Sequence, residues 1–557
     1  MSYEDKQSLV VYQIYPKSFY DSNGDGIGDL KGIIEKIPYL VTLGINAVWL
    51  SPVYQSPMAD NGYDISDYCA IHPDYGTMDD MVLLIDTLHK HNIKLIMDLV
   101  INHTSDEHPW FKESRKSLDN PKRDFYIWRK GKGHKPPNNW TSFFTGKAWS
   151  YDEVTKEWYL HLFHKKQPDL NWENPKVYFE IKSIIEFWIE LGVDGFRCDV
   201  INILSKNDQY PNGKPRIALV GQEHYLNGPH IHKILRHLNR DIFKKYGTIT
   251  VGETVFITPN DAVLYVAPER KELDMVFHFE HMGVDNHLKW FLRKFKPHKL
   301  KTILYKWQLV LENQGLNALY FENHDQPRSV SRFGDDQSFH KESAKMLATL
   351  LFTLKGIPYI YQGQEIGMTN AYFDDLNDYK DIETHSVYSL GRKTLKLSHN
   401  RMMKKIKYMS RDNARTPMQW SKASQAGFTK GSPWIKVNPN HQEINVEESG
   451  KDQDSIMHYY RKLIRLRKEE PTFVYGMFTP YLVKHKLLYV FTRTHKEDTL
   501  LVIVNHSSKS VRLKLPNALD FDFHCLVNTN ENNAFNKSIC LTPYQSIILK
   551  RVLKTKK

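Results

Sequence analysis

Gly195-Phe-Arg-Cys-Asp-Val-Ile201 is a short apolar run that closes on an arginine and an acid. Runs of the same kind stand at Val10–Tyr15, Ala47–Val53, Lys94–Val100, Thr248–Glu253, Met275–Phe279, Ala318–Asn323 and Pro358–Gln362. Apolar residues at helical spacing fill segments between them, at Leu30–Leu43, Met81–His91, Val177–Leu191, Ile231–Phe243 and Lys341–Leu354. Short β-branched runs alternating with amphipathic helices specify a parallel sheet, and eight such units specify an α/β fold of the (β/α)8 TIM-barrel type.

Two stretches break the alternation. From about His103 to Glu173 the chain is rich in Trp, Asn, Pro and Gly with few helical periods. So long an excursion from a compact domain is an inserted subdomain or a functional loop. Beyond Thr479, Leu487–Thr492, Leu500–Val504, Val511–Leu515 and Ser546–Leu549 read as strands separated by Asn-, Ser- and Pro-rich turns. The expected organisation is a barrel over 1–103 and 174–478, an inserted subdomain over 104–173 after the third strand, and a C-terminal antiparallel β-sandwich over 479–557.

Composition narrows the function classes. The 557 residues are 41% hydrophobic and 25% charged, the balance of a water-soluble globular chain. Cys69, Cys198, Cys525 and Cys540 are scattered without metal spacing, so reduced thiols and a cytoplasmic location are expected. The amino terminus lacks an apolar signal core, and no apolar run is long enough to cross a membrane. The net charge of +12 is spread along the chain; compact basic tracts are short, at Lys404–Lys407 and Lys554–Lys557. No nucleic-acid-binding motif accompanies them, so neither nucleic acid nor membrane is expected as a partner. A monomer is expected.

In a barrel of this type, chemistry sits at the carboxyl ends of the strands. Three predicted strands end in acid-bearing segments: GFRCDV with Asp199, TVGET with Glu253 and FENHDQPR with Asp325. A carboxylate buried at a strand end is costly unless paired or used. For one such acid, a structural pair with Arg197 or Arg328 would be explanation enough; three on one rim point to chemistry. Glycoside cleavage with retention needs two carboxyl groups about 5–5.5 Å apart, one a nucleophile and one an acid then base. Arg197, two residues before Asp199, shares its strand face and can hold it ionised.

Those residues carry a family resemblance. Asp98–His103 (DLVINH), Gly195–Val200, Val251–Glu253 and Asn323–Asp325 resemble the four signature regions of glycoside hydrolase family 13, the α-amylase family. Gln167–Trp172 (QPDLNW) is similar to a further signature of the inserted subdomain, and VYQIYPKSF, SPVYQSPMADNGYDISDY, GIPYIYQGQEIGMTN and RDNARTPMQW extend the likeness over nearly the whole chain. Within the family the chain looks most like the oligo-1,6-glucosidases and dextran glucosidases. The resemblance implies Asp199 as nucleophile, Glu253 as acid/base and Asp325 as the residue gripping the 2- and 3-hydroxyls of the reacting sugar. It implies substrate contacts from Asp60, Tyr63, His103, Phe163, Gln167, Arg197, His324 and Arg411, with Arg415 as a structural alternative to Arg411. Val200, after the nucleophile, implies a bias toward α-1,6 bonds, where Thr would favour maltose-type substrates.

Some positions depart from the family pattern. Thr254-Val255-Phe256 follows the acid, Glu322 stands where Asn is common, and Cys198 replaces a larger apolar residue. The Arg-Leu-Asp-Arg-Asp loop of sucrose isomerases is absent after Asp325, which favours hydrolysis. In DSNGDGIGD, Asp21, Asn23, Asp25, the Ile27 carbonyl and Asp29 alternate around glycines. Hard oxygens at that spacing suit Ca²⁺, and the resemblance implies a structural Ca²⁺ or Mg²⁺ there; no organic cofactor is expected. Three other readings stay open: a trehalose-6-phosphate hydrolase, a sucrose- or maltose-type α-glucosidase, and an inactive superfamily partner protein.

Overall fold

In the computed structural model, which describes residues 2–519, 522–530 and 538–552, eight parallel strands close a barrel. They are β1 (Val11–Ile14), β2 (Ala47–Leu50), β3 (Lys94–Leu99), β4 (Gly195–Cys198), β5 (Ile249–Glu253), β6 (Met275–Phe277), β7 (Leu316–Leu319) and β8 (Ile357–Tyr361). Every one of the eight runs marked in the sequence contributes a strand. Closure is made by β1, which pairs Val11 with Ala47 on one side and with Tyr359 on the other. The runs are apolar throughout because barrel strands are buried on both faces.

Helices cover the outside with the periodicity the sequence shows. The segment Leu30–Leu43 is two helices, Leu30–Glu35 and Ile37–Leu43, rather than one. Pro38 lacks an N–H and its ring crowds the carbonyl one turn back, so the helix restarts there. Thr77, Asn174 and Thr258 cap the N-termini of Met78–Lys90, Pro175–Glu190 and Pro259–Val266.

The excursion after β3 folds as a small aromatic-rich subdomain. Trp128–Arg129, Trp149–Tyr151 and Trp158–Leu160 form a three-stranded sheet, and Phe111 stacks on Trp128 with ring centroids 5.6 Å apart. Its second cluster draws in residues from beyond β4: Val200, Ile203, Tyr210 and Tyr225 pack with Ile127, Trp140 and Trp149. The subdomain therefore leans directly on the segment that follows Asp199.

The C-terminal unit shows the alternation of a sheet packed on both sides. β9 (Met477–Tyr481), β10 (Leu488–His495), β11 (Asp498–Asn505), β13 (Phe523–Asn528) and β15 (Ser546–Arg551) form an antiparallel sheet, faced by the pair β12 (Val511–Lys514) and β14 (Ser538–Leu541). Leu488, Val490, Leu501 and Ile503 point toward that pair, whereas Tyr489, Phe491, Leu500 and Val502 join the barrel's own core. Successive side chains of a strand face opposite ways, so one strand serves two cores. The basic tract Lys554–Lys557 lies outside the described residues.

Candidate active site

Register brings the acids together. In the parallel sheet Asp98 lies opposite Arg197, and Gly252 opposite Cys198, so Glu253 neighbours Asp199. Asp98, Arg197, Asp199 and Glu253 therefore project the same way at the carboxyl ends of β3, β4 and β5. Arg197 Nη1 lies 2.5 Å from Asp98 Oδ1 and 2.6 Å from Asp199 Oδ1, and its Nη2 lies 2.6 Å from Glu253 Oε2. Asp199 and Glu253 thus sit on the two terminal nitrogens of one guanidinium, as neighbours. The Val200 backbone N–H donates to Glu253 Oε2 at 3.1 Å.

One guanidinium shared by three buried carboxyls leaves each incompletely compensated. Burial raises Glu253, the Arg197 charge opposes it, and the neighbouring charges of Asp199 and Asp325 add to the rise, so it is pushed up to about 7. Asp199 is raised by burial against Arg197 to about 6, and Asp98 likewise to about 6. Glu253 thus holds its proton at a higher pH than Asp199 does.

Asp325 is set the other way. Burial would raise it, but a hydrogen bond from His324 and the charges of Arg411 and Arg415 hold it well below the ordinary carboxylate range. Arg411 Nη1 is 3.1 Å and Arg415 Nη2 2.8 Å from its Oδ1. His324 Nδ1 meets the Gln13 amide at 2.8 Å, which leaves Nε2 as the protonated ring nitrogen, 3.1 Å from Asp325 Oδ2 and 2.6 Å from the Tyr63 hydroxyl. Burial lowers His324, so it is neutral and the standing positive charge comes from the arginines.

Around this core the remaining predicted residues assemble. Arg411 Nη2 is 3.4 Å from Asp60, and Gln167 Nε2 reaches both Asp60 and His103 at 3.2 Å. Burial pushes Asp60 up to about 7 against Arg411. His103 rests at 3.1 Å on the Tyr63 carbonyl and packs 5.1 Å from the Phe163 ring. Asp60, Arg411, Gln167, His103 and Tyr63 thus form one connected set of buried donors and acceptors that reaches Asp325 through Arg411.

Residues 13–476 match the model of the α-amylase catalytic domain. The chain belongs to glycoside hydrolase family 13. Residues 488–548 match the C-terminal domain model of the α-amylase SusG. The chain is 53% identical over 552 residues to an oligo-1,6-glucosidase of Parageobacillus thermoglucosidasius, covering 98% of each. Among solved structures, the trehalose-6-phosphate hydrolase of Bacillus licheniformis is 46% identical with a TM-score of 0.93, over 98% of this chain and 99% of that one. A trehalulose synthase is 41% identical with a TM-score of 0.95 over the same shares.

Several members of the site are not marked as such by the sequence alone. Asp98 stood inside a quoted block, yet only the register shows it sharing Arg197 with the pair. Asp381 carried no signal at all; it lies 2.5 Å from Arg411 Nη2 and 3.7 Å from Arg415 Nη1, and those charges outweigh burial to lower it. Arg415, weighed as a structural alternative, contacts Asp325 as closely as Arg411 does. Val200 is buried with the aromatic cluster of the inserted subdomain, at φ 35° and ψ 42°. A β-branched residue in the left-handed region is strained by about 1–3 kcal/mol, a type of strain that clusters at functional sites.

The Asp/Gly loop is knitted by its own side chains. Asp21 accepts from the N–H groups of Asn23, Gly24 and Gly26 and from the Thr429 hydroxyl at 2.5–3.0 Å. Asn23 and Asp25 accept from Asp25 N and Ile27 N, and Asp29 caps the helix Leu30–Glu35 through Gly32 N at 2.6 Å. Its donors are all hard oxygens of the kind Ca²⁺ takes, but Asp21 already carries four hydrogen bonds. Among the described residues no three His, Cys, Asp or Glu side chains gather as a cation cage. No helix among them is long and apolar enough to cross a membrane.

Proposed function

We propose that this chain is a retaining, exo-acting α-glucosidase that hydrolyses terminal α-1,6-linked glucose from isomaltose and short isomalto-oligosaccharides. The observation that carries the reading is the fork of Arg197, whose two terminal nitrogens hold Asp199 and Glu253 as neighbours, each 2.6 Å from the guanidinium. An inverting pair stands about 6.5–9.5 Å apart, to admit a water.

Asp199, the more readily ionised of the two, attacks the anomeric carbon. Glu253 gives its proton to the leaving oxygen, and the bond between that oxygen and the anomeric carbon breaks. Glu253, now a carboxylate, takes a proton from water, whose oxygen displaces Asp199 and releases α-glucose. Asp325, held ionised, accepts hydrogen bonds from ring hydroxyls and stabilises the positive charge that develops on the sugar. Asp60 and Arg411 bind the non-reducing end and His103, Gln167 and Tyr63 its flank. Phe163 lines the same wall, and closure of that end restricts cleavage to terminal glucose. Val200 faces the next sugar and biases the site toward the α-1,6 arm. The 53% identical oligo-1,6-glucosidase supports this linkage.

The reading places the enzyme in the cytoplasm as a monomer working on neutral saccharides. It also places a structural Ca²⁺, or Mg²⁺ in the same seat, on Asp21, Asn23, Asp25, the Ile27 carbonyl and Asp29, where it would brace the loop without entering the chemistry. Turnover across isomaltose, panose, maltose, sucrose, trehalose and trehalose 6-phosphate tests the substrate. Isomaltose should lead, and a dominant preference for trehalose 6-phosphate would replace the reading with that of the phosphate hydrolase. Proton NMR should show α-glucose as first product; β-glucose would exclude retention.

A further inference from the structure

Glu322, at the end of β7, departs from the family pattern, and the proposed chemistry gives it no role. Its side chain is buried, 2% exposed, and both oxygens are occupied: Oε1 by Arg328 Nη1 at 3.0 Å and Oε2 by the Ser329 N–H at 2.5 Å. It can neither touch a sugar nor exchange a proton with one. Arg328 is fully buried, and Glu322 is its carboxylate partner among the described residues. Its other bonds run across the site's floor: Nη1 to the Gln362 carbonyl at 2.7 Å and Nη2 to the Ala414 carbonyl at 3.2 Å. The Arg328 backbone N–H in turn donates to Asn370 at 2.9 Å.

We infer that Glu322 is a positioning residue: through Arg328 it fastens the His324–Asp325 loop to the Arg411–Arg415 loop, so that both arginines meet Asp325 in the geometry that grips the terminal sugar. The inference rests on the α-glucosidase reading. Glu322, at the start of the loop 322–329, closes it by holding Arg328 and Ser329 at its far end. Arg328 then carries that closure to Ala414, one residue before Arg415, whose Nε donates to the His324 carbonyl at 2.9 Å while Nη2 holds Asp325. Asn at position 322 would be a methylene shorter and uncharged, and it could not hold the guanidinium and the Ser329 N–H together. A catalytic group displaced by about 1 Å can lose about a hundredfold in rate, so a fastening of this kind has leverage on turnover.

The test is a double-mutant cycle on kcat/KM for p-nitrophenyl α-glucoside, with melting temperature measured in parallel. Glu322→Gln alone should lower kcat/KM by about tenfold or more. With Arg415→Lys already present, the fork onto Asp325 and the His324 carbonyl is gone, and Glu322→Gln should cost less than about twofold more, because the two act through one contact. Losses that multiply independently in the two backgrounds would overturn the inference, and so would a lower melting temperature with kcat/KM within about twofold. Glu322→Asp keeps the counter-charge for Arg328 but cannot span both partners. It is the arm to read should the amide variant not fold, with the same coupling expected, and independent losses there would overturn the inference equally. A native chain inert toward both isomaltose and the aryl glucoside would refute the α-glucosidase reading instead, a failure distinct from that of Glu322.

Discussion

Replacing Arg197 by Gln should move the enzyme's whole pH profile upward. Arg197 is the largest charge opposing burial for Asp98, Asp199 and Glu253 alike, with contacts of 2.5–2.6 Å to all three. Productive enzyme needs Asp199 ionised and Glu253 protonated, so native kcat/KM should be bell-shaped, falling below about 6 and above about 7. An opposite charge at contact lowers a carboxyl by about 1–3 pKa units, so removing it carries Asp199 from about 6 to about 8. At pH 6.5 the ionised fraction then drops from about three-quarters to about 3%, a loss of about 25-fold from protonation alone. Glu253 rises with it, so both limbs move and part of the activity returns near about pH 8. The assay is kcat/KM for an aryl α-glucoside across that range. A profile lowered in height with both limbs in place would refute the reasoning.

The same substitution has a stability signature. Carboxyls whose folded values lie above their unfolded ones bind more protons when folded, so they favour folding at low pH and lose that contribution as pH rises through the folded values. Raising three of them further should make the Arg197→Gln melting temperature fall more steeply between pH 6 and 8 than that of the native chain, as read by calorimetry.

Three further outcomes follow from the site. Glu253→Gln should cost about 10²–10⁴-fold on isomaltose, whose leaving group needs the proton, and much less in the first step on a dinitrophenyl α-glucoside, seen as a burst; equal losses on both would remove Glu253 from the acid role. Val200→Thr keeps the strained β-branched backbone and changes one methyl to hydroxyl, so the isomaltose-to-maltose ratio of kcat/KM should fall by up to about 10–200-fold; an unchanged ratio would make Val200 a filler. Chelation with EDTA should lower the melting temperature and Ca²⁺ restore it, while Asp25→Ala abolishes the difference; a melting temperature indifferent to both would leave the Asp/Gly loop held by its own hydrogen bonds.

The alternation of strands and helices, and the acid-bearing segments that close three of the strands, are legible in the chain alone. A β-branched run ending in a carboxylate reads the same in isolation as in the barrel, because a strand to be buried on both faces is apolar throughout, a pattern carried by adjacent residues. Leu30–Leu43 broke into two helices for an equally local reason, the proline at position 38, although its apolar spacing read as one.

Which charges share which partner is settled by the folded chain. Gln13 meets His324 across 311 residues and Arg411 meets Asp60 across 351. Such pairings arise when the barrel closes and long loops settle over its mouth, and no spacing along the chain encodes them. Asp98 became a third occupant of Arg197 only through strand register, and Asp381 took Arg411 and Arg415 only through the packing of the long segment after β8. A carboxylate's ionisation depends on how many charges surround it and how much water is excluded. That is why three acids alike in sequence emerge with Asp199 raised to about 6, Glu253 raised to about 7 and Asp325 held far below both.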